Sequence, residues 1–130
     1  MGKKGKKLHK NCFMNCKMSY EIVTTEDFGR QLRRLRKKYS SIPKDYAKFI
    51  EELLKNPTMG DKLDKNTRKV RMAIASKGKG RSGGARIITC HILVDIVNTD
   101  IYLLTIYDKG EQESISKKDI QNLKEINGLI

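Results

Sequence analysis

The sequence predicts an α+β domain in which an antiparallel-rich sheet packs against an N-terminal helical hairpin and a C-terminal helix. Three observations carry that reading. Two adjoining segments between Phe28 and Leu54 repeat apolar residues at helical spacing. Three segments between Lys69 and Tyr107 alternate, or run apolar, at strand length. A last helical segment stops at Asn127 and Gly128.

The elements follow in order. Ser19 to Thr24 alternates as a short strand, with Tyr20 and Ile22 on one face. A helix comes next: Thr24 or Thr25 can cap it, and Glu26 and Asp27 sit in the first turn, where the helix dipole favours anions. Phe28, Leu32, Leu35 and Tyr39 then form one apolar stripe. The other faces hold Arg30, Arg33, Arg34, Arg36, Lys37 and Lys38, a density of like charge that destabilises a helix unless an anion or acidic partner sits on it. Ser40, Ser41 and Pro43 open a second helix, which buries Tyr46, Phe49 or Ile50, Leu53 and Leu54 and stops at Asn56 and Pro57. The short connection from Tyr39 to Ile42 makes the two an antiparallel hairpin lying over a sheet.

Val70, Met72 and Ile74 alternate with Lys69 and Arg71, which sets those cations on the face away from the core. Beyond a glycine-rich loop, Ala85 to Val94 forms a longer strand. Asn98 to Asp100 is expected to turn the chain into Ile101 to Tyr107, which is apolar on both faces as a central strand is. Ser116, three residues before Asp119, opens a helix bearing Ile120, Leu123 and Ile126. The expected order is β, α, α, β, β, β, α.

At 130 residues the chain holds one domain. Residues 1–17 carry six lysines and no acid, too little apolar surface to fold alone, so they are expected to be a disordered basic tail before a domain at 18–130. The excess of 28 basic over 15 acidic residues, a net +13, points to a polyanionic or acidic partner, nucleic acid first. No apolar run is long enough to span a bilayer and no signal-peptide segment follows the basic start, so no membrane partner and a cytoplasmic location are expected. Cys12, Cys16 and Cys90 are an odd, scattered set that makes no disulfide framework.

The most informative stretch is the loop. Lys77, Lys79 and Arg81 interleave with Gly78, Gly80, Gly83 and Gly84, and Arg71 and Arg86 flank them on the two strands. Glycines allow a backbone to approach a large anion, and the cations supply its counter-charge. The three glycines at 78, 80 and 83 spell a dinucleotide fingerprint, but that motif leaves a strand and opens a helix, whereas this loop opens a strand. It also lacks the ending of a nucleotide P-loop, since Gly84 is followed by Ala85. His9, Cys12 and Cys16 do not have a usual zinc spacing, and Cys90 and His91, adjacent in a strand, face opposite ways. No paired or clustered carboxylates suggest glycosidase or two-metal chemistry. Metal-free phosphate chemistry stays open. RNA cleavage of that kind needs a base for the 2′-hydroxyl proton, an acid for the departing 5′-oxygen and cations for the transition state, all of which Lys, Arg and Tyr can supply.

The element order, the RKVR strand, the SKGKGRSGGARII loop and strand, and the IYLLTIYDKGE strand end resemble the RelE/ParE superfamily of bacterial toxins, closest to its HigB-like branch. The resemblance covers about Ser19 to the C-terminus. It implies a RelE-like fold and a ribosome-dependent mRNA endoribonuclease that needs no metal or other cofactor and is silenced by a cognate antitoxin. Carried over by residue, Lys77 and Lys79 match the basic loop positions that act as base or phosphate contacts, and Arg86 matches the arginine opening the next strand. Arg71 and Arg81 match further phosphate-binding cations, and Lys69, on the strand of Arg71, is expected to bind phosphate with them. Tyr107 and Lys109 sit where the last core strand delivers its final active-site groups, and either can be the general acid. The chain departs from the RelE-like pattern at Gly110, where an arginine often follows the lysine, and no C-terminal tyrosine follows Ser114. On the first helix, Arg30, Arg33, Arg34 and Lys37 are expected to meet the ribosome or the antitoxin. A ParE-like gyrase inhibitor and a nonenzymatic RNA- or DNA-binding module are the rival readings.

Overall fold

The structure, a computed structural model, describes residues 7–12, 19–78, 80 and 83–130. Among the described residues six strands form one mixed sheet in the order β1-β2-β6-β5-β4-β3. The strands are β1 (Lys7–Cys12), β2 (Ser19–Thr24), β3 (Asp61–Lys62), β4 (Thr67–Met72), β5 (Ala85–Leu93) and β6 (Asn98–Asp108). The helices are α1 (Glu26–Lys38), α2 (Ile42–Lys55) and α3 (Lys117–Ile126). The fold is therefore α+β, and every neighbouring pair is antiparallel except β2 with β6, which run parallel.

Local chemistry explains the boundaries. Thr25 caps α1 by accepting from the Phe28 N–H at 3.1 Å, and its hydroxyl donates to the Leu104 carbonyl at 2.9 Å, so one side chain starts the helix and ties it to β6. Ser41 precedes α2 with its hydroxyl turned to the Asp45 carboxylate at 2.6 Å instead of capping the helix backbone, and Pro43 lies in the first turn. Ser116 Oγ accepts from the Asp119 N–H at 3.1 Å to begin α3.

The core has two halves. On one face of the sheet α1 and α2 bury Phe28, Leu35, Phe49 and Leu53 against Ile22, Val70, Ile87 and Ile106. On the other, α3 and the segment before it set Ile120, Leu123 and Ile115 against Val23, Ile88, Cys90, Tyr102 and Leu104. β6 is buried from Thr99 to Asp108, as its unbroken apolar run predicts. A β-bulge in it, where Ile88 pairs with Thr105 but Thr89 with Leu103, shifts the alternation so that Ile106 joins the helical-hairpin face and Tyr107 the α3 face.

Three expectations are corrected. Within residues 1–17, read as a disordered tail, Lys7–Cys12 is an antiparallel edge strand on β2, whose outer backbone groups offer a ladder that composition alone does not reveal. The turn expected at Asn98 to Asp100 lies earlier: the Asp95 carboxylate accepts from the N–H groups of Val97 and Asn98, both at 2.9 Å, and those three residues open β6 instead. A two-residue strand, β3, pairs with β4 where no strand was expected. Among the described residues, no helix is long and apolar enough to cross a membrane.

Candidate functional site

Register aligns three of the expected site residues. Arg71 on β4 pairs with Arg86 on β5, and Arg86 pairs with Tyr107 on β6. Directly opposed residues share a sheet face, with Cβ atoms about 5 Å apart. The shared face is that of α3, because Val70 and Met72, either side of Arg71, join the hairpin core, while Tyr107 packs with Ile120 and Leu123. The row runs from solvent to interior: Arg71 is exposed, whereas Arg86 and Tyr107 are only 5% and 4% exposed. The Arg86 guanidinium donates to the Ala85 carbonyl at 3.2 Å.

Tyr107 borders a groove of about 320 Å³ between α1 and α3, lined also by Asp27, Arg34 and Asp119. Its hydroxyl is buried with no hydrogen-bond partner among the described residues. Burial pushes this phenol upward, the Arg86 charge pulls it back, Glu113 adds to the rise, and the net shift is up. Such a group holds its proton at neutral pH, and Arg86 stands opposite it on β5.

Lys77 belongs to another arrangement. It ends the 3-10 turn Ala75–Lys77, and its Nζ lies 2.7 Å from Asp108 Oδ1. Asp108 is 1% exposed and also accepts from the Tyr39 hydroxyl at 2.6 Å and the Gly110 N–H at 2.9 Å. Burial raises this carboxyl, but the hydrogen bonds from Lys77, Tyr39 and Gly110 outweigh it and hold the group down at about 2. Because Asp108 is next to Tyr107 on a strand, the two side chains leave opposite faces. Lys77 and Tyr107, expected in one site, are thus on opposite sides of the sheet end.

The remaining candidates divide. Lys109 follows β6, donates its N–H to the Gly84 carbonyl at 3.0 Å and sets its ammonium 3.3 Å from Glu113. Lys69 stands opposite Asp61 in the β3–β4 pairing. On α1, Arg30 pairs with Asp27 at 2.8 Å and Arg34 with Glu111 at 2.8 Å, while Arg33 and Lys37 are exposed. Lys79 and Arg81 lie outside the described residues.

Asp108 and Tyr39 were not among the expected site residues. The only sign of Asp108 was an acid at the end of an apolar strand, a pattern equally typical of a turn. No family model matches this chain.

Proposed function

We propose that this chain is a RelE/ParE-type toxin of the HigB-like kind, a metal-independent mRNA endoribonuclease that works on translating ribosomes in the cytoplasm and is silenced by an antitoxin. The observation that carries the reading is the row Arg71–Arg86–Tyr107, which sets two cations and a protonated phenol side by side on three neighbouring strands at the root of a lysine- and glycine-rich loop. The helical hairpin followed by the strands that carry this row, and the +13 charge, support it.

In this reading the 2′-oxygen attacks phosphorus and the bond from phosphorus to the 5′-oxygen breaks. The 2′-hydroxyl proton passes to a base, Lys79 of the loop, and Tyr107 gives its proton to the leaving 5′-oxygen. Arg71 and Arg86 take up the charge that grows on the phosphate, and Arg81 adds to it from the loop. Lys109 and Lys69 hold flanking phosphates, and the exposed Arg33 and Lys37 of α1 meet ribosomal RNA. The products are a 2′,3′-cyclic phosphate and a 5′-hydroxyl.

A purified translation system tests the proposal. Addition of the protein should cut message only while ribosomes translate it. Intact message together with inhibited gyrase would replace this reading with a ParE-like one, and salt-sensitive RNA binding without cleavage would replace it with a binding module.

A further inference from the structure

The two ends of the glycine-rich loop are held by consecutive residues of the chain. At the start, Lys77 Nζ is bound to Asp108 Oδ1 at 2.7 Å. At the end, the Gly84 carbonyl accepts from the Lys109 N–H at 3.0 Å. Gly84 itself is pressed against the end of β4, where a Cβ would clash with the Met72 carbonyl oxygen. The turn before the loop is pinned to the helical hairpin as well: the Ala75 N–H donates to Asp45 Oδ2 at 3.1 Å and the Ser76 N–H to Ser41 Oγ at 2.9 Å. Tyr39, just after α1, adds its 2.6 Å bond to Asp108 Oδ2, with the Lys77 ammonium 5.6 Å from its ring centroid, and Lys38 Nζ stands 3.7 Å from the same carboxylate oxygen.

These contacts form a neck. A buried carboxylate tolerates desolvation only with partners on its oxygens, and here those partners come from the loop start, the helical hairpin and the turn after β6. The hairpin, the loop and the strand that delivers Tyr107 therefore meet at one charge. We infer that Asp108 is a positioning residue that clamps the neck of the glycine-rich loop, and that Lys77 is its counter-ion and takes no part in proton transfer. The inference rests on the endoribonuclease reading for its kinetic consequence, since a clamped neck fixes where the chain enters and leaves the loop at the sheet end that carries Arg71 and Arg86.

Two measurements test it. The first compares mRNA cleavage by Lys77→Gln and Lys77→Arg in the purified translation system. Arginine keeps the ion pair but cannot give up a proton, so a counter-ion role has Lys77→Gln lower kcat at least about tenfold with KM little changed, and has Lys77→Arg restore most of that loss. Equal inactivity of the two variants would overturn the inference and make Lys77 a proton-transfer group. The second needs no activity: the rates at which trypsin cuts after Lys79 and Arg81 are followed by mass spectrometry in wild type, Asp108→Asn and the milder Tyr39→Phe. Release of the neck should speed those cuts by about fivefold or more while unfolding stays cooperative, since local opening sets such rates. Unchanged rates in both variants would overturn the clamp. A wild-type protein that cuts no message would refute the endoribonuclease reading and leave the clamp to be decided by the trypsin rates.

Discussion

Two regions at the same end of the sheet, one residue apart in the chain, show opposite uses of burial. On the α3 face, Tyr107 is buried without a partner for its hydroxyl among the described residues, beside Arg86. On the hairpin face, Asp108 is buried with Lys77, Tyr39 and Gly110 all directed at its carboxylate. A buried polar group left unsatisfied costs stability, and one fully satisfied confers rigidity. On the proposed reading, function belongs with the first region and architecture with the second, although both contain the cations and acid–base groups that a sequence reader would pool.

Substitutions can break that contrast. The largest effect is expected from Arg86→Met, which keeps the packing of the stem but removes the guanidinium: mRNA cleavage should fall about 10²- to 10³-fold in protein that still unfolds cooperatively. Next is Asp108→Asn, which leaves the Lys77 charge without its partner and should lower stability by about 2 to 3 kcal/mol in chemical denaturation. The same pair has a pH signature. The folded value of Asp108, about 2, lies below its ordinary 3.8, so its contribution is complete above about pH 4 and disappears as pH falls towards 2. Acid titration of wild type against Asp108→Asn should show the stability difference shrinking across that window. Thr25→Ala, which loses both the α1 cap and the bond to β6, should cost about 1 to 2 kcal/mol. Charge reversal at Arg33 and Lys37, both exposed, should change stability by no more than about 0.5 kcal/mol, and should weaken ribosome association in a salt-dependent way.

Much of this was legible in the sequence because it depends on local chemistry. The Thr25 and Ser116 caps, the apolar stripe of α1 and the buried β6 run each follow from residues within a few positions of one another. The row Arg71–Arg86–Tyr107 was half legible: alternation gave the outward face of Arg71, but alignment across the strands depends on register and on the bulge near Leu104. The Asp108 neck was not legible. Its partners Tyr39 and Lys77 come from 69 and 31 residues away, and nothing in a lysine's neighbours along the chain shows that a distant carboxylate will pair with it. β1 escaped notice for a similar reason, since its pairing is set by the open edge of β2 and not by its own lysine-rich composition.

The chemistry of the cut ends tests the central claim most directly. Message cleaved on translating ribosomes by wild-type protein should carry 5′-hydroxyl and 2′,3′-cyclic phosphate ends, the products of 2′-oxygen attack aided by Arg71, Arg86 and Tyr107, and these ends should be lost with Arg86→Met. Ends bearing 5′-phosphate and 3′-hydroxyl, or undiminished cleavage by Arg86→Met, would contradict the account.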